Sequence, residues 1–148
     1  MLYPWSGDMQ KAKAKTAKKD KIQYEERIRA NIYLPSGKKE ENNALNEVIS
    51  YFQQKRILKG NRVIEGFTKS NPFPPPFTGY WWDEGKEEFA DDIITIIVID
   101  YKIKFTTESR EFDNEIEIIR NKIAEIYKNH GADQKEFWII AQPVRRYA

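Results

Sequence analysis

The chain has 148 residues, with 25 Lys and Arg against 23 Asp and Glu, one histidine and no cysteine. That length suits one domain, able to bury about 68–70% of its unfolded surface without covalent staples. The lack of cysteine excludes a disulfide framework, a thiolate metal site and a cysteine nucleophile, and a single histidine excludes a site of several imidazoles within the chain.

The opening residues are followed by lysines rather than an apolar run, so no secretory signal is expected. The longest apolar run, near Ile93 to Ile99, contains Thr95 and falls short of the roughly 20 residues that span a bilayer. A cytoplasmic protein with no membrane partner is expected. Residues 1–21 carry six lysines against Asp8 and Asp20, a sum of +4 that leaves the rest of the chain at −2. Without large apolar residues between Gln10 and Lys21, this stretch cannot offset its ordering entropy. Residues 1–25 are read as a basic, mobile segment, and 26–148 as one α+β domain.

From Glu26 the pattern alternates, with Ile28, Ala30, Ile32 and Leu34 on one face and Arg27, Arg29, Asn31 and Tyr33 on the other. This predicts a half-buried strand that stops at Pro35-Ser36-Gly37. Leu45, Val48, Ile49 and Phe52 then trace a helical stripe starting near Asn42 or Asn43, with Lys55 and Arg56 suited to its C-terminal dipole. Arg62 to Thr68 reads as a short strand with a bulge at Gly66.

Asn71 to Gly85 holds four of the seven prolines and five aromatics. It is expected to lie over the sheet as a cover or to form an interface, and as an alternative to line a small-molecule pocket. Ile93 to Phe105 predicts a long strand, central in its first half. Ser109 is placed as the N-cap of a helix buried through Phe112, Ile116, Ile119, Ile123, Ile126 and Tyr127, with Gly131 ending it. A last strand, Lys135 to Val144, has Pro143 marking an edge or bulge.

The order β-α-β, long connection, β-α-β predicts a ferredoxin-like sandwich, a four-stranded antiparallel sheet with two helices on one face. A parallel α/β sheet is the alternative. The first would leave an apolar sheet face in need of a cover.

No sequence motif carries chemistry. Ser6, Ser36, Ser50, Ser70 and Ser109 lie in no nucleophile elbow, and no glycine-rich phosphate cradle occurs. The acidic run Asp83, Glu84, Glu87, Glu88, Asp91 and Asp92 lacks calcium-loop spacing and reads as a solvated turn. His130 has a structural reading at a helix C-terminus. An RNA-recognition motif needs glycine and stacking rings on the third strand, where this chain has Ile, Val and Thr. Nucleic acid is an unfavoured partner, with the Lys11–Lys21 arm as its one route.

The segments Ile32-Tyr33-Leu34-Pro35, Gly79-Tyr80-Trp81-Trp82 and Trp138-Ile139-Ile140-Ala141-Gln142-Pro143-Val144 together resemble a group of small uncharacterised bacterial α+β proteins. The resemblance implies the fold and brings no catalytic residue. The expected function is non-enzymatic association, as a homodimer or with a partner, through the open sheet face. Its ligand or interface residues are Tyr33, Phe73, Phe77, Tyr80, Trp81, Trp82, Asp100, Tyr101 and Trp138. No catalytic residue, metal or cofactor is predicted; in the alternative, a small-molecule-binding protein or enzyme with a pocket between the sheet and the Asn71 to Gly85 segment, Asp100, Tyr101 and Tyr33 supply the polar groups.

Overall fold

The computed structural model describes residues 22–54, 56–70, 77–132 and 137–147. The elements are β1 (Tyr24–Pro35), α1 (Lys39–Gln53), β2 (Ile57–Leu58), β3 (Asn61–Arg62), β4 (Ile64–Lys69), β5 (Phe77–Asp83), β6 (Glu88–Tyr101), α2 (Arg110–Asn129) and β7 (Trp138–Tyr147). Two compact units are present. In the smaller, the described residues are 22–26 and 145–147: the Tyr24 ring lies 5.6 Å from that of Tyr147 and 4.4 Å from the Arg145 guanidinium, and Arg146 Nη2 donates to Glu25 Oε2 at 2.6 Å. The larger is Arg27–Val144.

The expected four-stranded sheet does not form. The main sheet has five antiparallel strands, and β2 and β3 make a separate two-stranded ribbon. The extra strand is β5, from the stretch expected to be a cover. It pairs with the first half of β6, from Phe77 with Ile94 to Asp83 with Glu88, while β4 pairs with the second half, from Lys69 with Ile97 to Ile64 with Tyr101. Across the other edge of β6 lies β1, from Pro35 with Ile94 to Arg29 with Asp100, and β7 lies beyond β1.

Local chemistry accounts for the difference. Thr78, Tyr80, Trp81 and Trp82 are strong strand formers, and the reversal after them is fixed by Asp83, whose Oδ1 accepts from the backbone N–H of Gly85 and Lys86 at 2.9 and 3.2 Å. Glu87 completes the turn at φ 51°. The long strand therefore begins at Glu88, not Ile93, and it ends at Tyr101, with Phe105 still buried in the core.

Each helix contributes its buried stripe to one core. Ile28, Ala30, Ile32 and Leu34 of β1 and Ile97, Ile99 and Tyr101 of β6 meet Ala44, Leu45, Val48 and Phe52 of α1 and Phe112, Ile119, Ile123 and Ile126 of α2. A fully buried Ile or Leu here stabilises the fold by about 1.5–3 kcal/mol. The opposite sheet face carries no helix among the described residues.

Helix α1 begins at Lys39 rather than at Asn42 or Asn43, with Lys38 N–H donating to Glu41 Oε1 at 3.2 Å. Asn42 looked like a start because its side chain does reach back, accepting from Gly37 N–H at 2.9 Å. α1 ends at Gln53; Lys55 lies outside the described residues and Arg56 beyond the helix. Instead of facing a helix end, Arg56 grips the buried Glu115 carboxylate of α2 through both terminal nitrogens, at 2.6 and 2.7 Å. Ser109 caps α2 by accepting from Phe112 N–H at 3.1 Å, and Gly131 follows the helix at φ 75°. His130 has a partner besides the helix dipole: its Nε2 lies 3.0 Å from Glu47 Oε1 of α1. The β4 segment starts at Ile64, with the irregularity between Ile64 and Gly66 where a bulge was expected.

Candidate association surface

Side chains on cross-strand partners share a face, so the register sorts the aromatic segment. Tyr33 pairs with Ile96, Asn31 with Val98 and Arg29 with Asp100, all on the face away from the helices. The same parity along β6 continues to Ile94, Asp92, Ala90 and Glu88, and hence to their β5 partners Phe77, Gly79, Trp81 and Asp83. On β7, Phe137, Ile139 and Ala141 pack on the core, which puts Trp138 and Ile140 on the face with Trp81.

Contact follows from that placement. The indoles of Trp81 and Trp138 meet edge to face, centroids 4.5 Å apart and planes at 79°. Gly79 makes this possible, because a Cβ there would meet Trp81 Cζ2 at 2.9 Å and Cε2 and Nε1 at 3.1 Å. The ring lies folded back across a residue that has no side chain to obstruct it. Trp138 is still 53% exposed, Phe77 51% and Ile140 44%. Ile94 is buried beneath this face without belonging to the helix-side core.

The expected site residues therefore divide. Tyr33, Phe77, Trp81, Asp100 and Trp138 come to one face. Tyr80 and Trp82 pair with Asp91 and Phe89 and lie on the other face of the β5–β6 hairpin, where Trp82 and Phe89 meet edge to face at 5.2 Å and stay half or more exposed. Tyr101 is fully buried among the core residues, T-shaped against Phe105 and Phe112. Phe73 lies outside the described residues. Because Phe77–Asp83 is a strand of the sheet, it is not a lid laid across it.

Asp100 is held in an ion pair. Its Oδ1 accepts from Arg29 Nε at 2.7 Å, both side chains more than a third exposed, so the pair contributes at most about 1 kcal/mol. The hairpin carboxylates differ. Glu84, Glu87, Glu88, Asp91 and Asp92 form no ion pair with any described residue, and Asp83 spends its side chain on backbone N–H groups. Over residues 77–94 the charge is −5, with Lys86 the lone cation. Among the described residues no group of three or more His, Asp or Glu is placed to hold a metal ion, and no helix is long and apolar enough to cross a membrane.

Ile140 and the carboxylates of Glu88 and Asp92 were missed as parts of this surface, and Phe89 as a ring on the other face of the hairpin. The signal was present in the alternation Glu88-Phe89-Ala90, but the acidic run obscured it by reading as a turn.

No protein-family model matches the chain, and no curated protein matches it.

Proposed function

We propose that this chain is a non-enzymatic association domain that binds another protein surface through the sheet face opposite its helices. The observation that carries this reading is the Trp81–Trp138 pair, set edge to face on a sheet face that carries no helix among the described residues, with half of the Trp138 side chain still exposed. Large aromatics fixed by neighbours are the usual energetic anchors of protein interfaces. Burying roughly another 100 Å² of such a ring is worth about 2.5 kcal/mol. Association costs about 4 kcal/mol or more in lost freedom, so several anchors must act together. Phe77 and Ile140 on the same face supply them.

Two-stranded hairpins are marginal alone in water, which adds support. Among the described residues, Glu88 to Asp92 pair only with β5, because the β1 side ends at Pro35 with Ile94 and at Ser36 N–H, which donates to the Ile93 carbonyl at 2.9 Å. An outlying ribbon with rings on both faces gains most from a partner.

Sedimentation velocity of the full chain across the micromolar range tests the reading. Self-association, or a co-purifying partner, should be present and should weaken at least about a hundredfold in Trp81→Ser/Trp138→Ser, the size of two moderate hot spots. A strictly monomeric wild-type chain that co-purifies with nothing sinks it, as does association indifferent to that double substitution.

A further inference from the structure

Charge selects the occupant of this face. The hairpin places Asp92, opposite Gly79, and Glu88, opposite Asp83, on the Trp81 face, one to each side of the position opposite Trp81. The indole, folded back across Gly79, lies on the Asp92 side, and Glu88 stands four residues away along the same face of β6. Neither is ion-paired to a described residue. An electron-rich ring beside a carboxylate that forms no ion pair with a described residue is the chemistry that holds an ammonium or guanidinium group. Two such hairpins brought together would set −5 against −5, which disfavours a symmetric hairpin-to-hairpin contact.

The chain carries a matching segment. Residues 1–21 sum to +4, and Lys11, Lys13 and Lys15 alternate with Ala12 and Ala14. Extended, as a peptide docked on a sheet is, that run presents three ammonium groups on one side at intervals of about 7 Å. Glu88, Ala90 and Asp92 recur along β6 at the same interval, with Trp81 paired opposite the middle one. Lys11 and Lys15 then meet the two carboxylates, in either direction, and the one at Asp92 also lies beside the indole.

Resting on the association reading above, we infer that this face takes up the Lys11–Lys15 run of a second copy of the chain, each copy offering its run to the other. Ammonium groups held between carboxylates and an indole give this contact a strong dependence on salt, unlike a contact made by apolar rings alone.

The test uses the full-length chain. In Lys11→Gln/Lys13→Gln/Lys15→Gln, dimer dissociation should rise at least about tenfold, and the weakening that salt produces in the wild type between about 0.05 and about 0.3 M should largely vanish. A synthetic peptide of residues 10–21 added to this triple variant should shift its tryptophan fluorescence. The same peptide should bind at least about tenfold more weakly when Glu88→Gln/Asp92→Asn is added, with circular dichroism confirming the fold. Association that is lost in the tryptophan variant, yet unchanged in the lysine variant and insensitive to salt, overturns this inference and leaves the association reading standing. Association indifferent to both sets of substitutions overturns both, and a monomeric wild-type chain overturns this one. A peptide of the same composition with its lysines made contiguous should bind less well; equal binding would remove the alternate-residue match.

Discussion

Tyr101 and Tyr127 are both fully buried, and a single hydrogen bond separates their consequences. The Tyr127 hydroxyl donates to the Pro35 carbonyl at 2.8 Å, whereas the Tyr101 hydroxyl has no partner among the described residues. Losing a satisfied bond costs about 1 kcal/mol and strands a buried carbonyl, while losing an unsatisfied hydroxyl is neutral or stabilising. Tyr127→Phe is therefore expected to lower unfolding stability by about 1–2 kcal/mol at neutral pH, and Tyr101→Phe to leave it level or raise it, as measured by urea denaturation. Burial lifts both phenols above their ordinary value, and the charge of Glu115 adds to the effect at Tyr101 and that of Glu41 at Tyr127. A raised folded value means that the unfolded chain loses these protons first. Stability from them is complete below about pH 10 and falls above it by up to about 1.4 kcal/mol per pH unit for each phenol. Either Phe variant should flatten that decline by one such slope; an unchanged slope would refute the assignment.

At the scale of elements, the β5–β6 hairpin depends on Gly79. Gly→Ala within a strand ordinarily gains about 0.5–1 kcal/mol, but here the new methyl displaces an indole whose contact with Trp138 is worth a similar amount. Gly79→Ala should leave stability within about 1 kcal/mol of wild type while altering the near-ultraviolet tryptophan dichroism and weakening association. Gly66→Ala, with nothing within 4 Å of the added carbon, should do neither. An unaltered indole spectrum in Gly79→Ala would show that the ring does not lie across that residue. The helices were legible from their stripes, the Ser109 cap and Gly131, because each signal is local. The hairpin was not. Alternation is visible when one face is polar, but Phe77, Tyr80, Trp81 and Trp82 put rings on both faces, and the acidic residues of early β6 carry turn chemistry into a strand.

For the molecule as a whole, the number of strand neighbours sets local stability. Ile97 to Asp100 have partners on both sides, in β4 and β1, whereas among the described residues Glu88 to Asp92 have β5 alone. Amide exchange should be slowest in Ile97 to Asp100 and at least about tenfold faster through Phe77–Asp83, and the latter should slow as concentration rises and the face is covered. Uniform protection along β6 would contradict this gradient. Such pairing is invisible in one sequence because it joins residues far apart: two elements, β4 and β5, share one edge of β6 end to end, and no local pattern encodes that. The sheet's two borders are also unlike. β7 carries Pro143, which has no N–H to offer a neighbour, while on the other border β4 ends at Lys69 and β5, with neither proline nor lysine, has among the described residues the carboxylates of its hairpin beside it. A sheet blocked on one border and guarded by removable charge on the other can add one neighbour but cannot propagate. Whatever it assembles into should therefore be closed and countable, not a fibre.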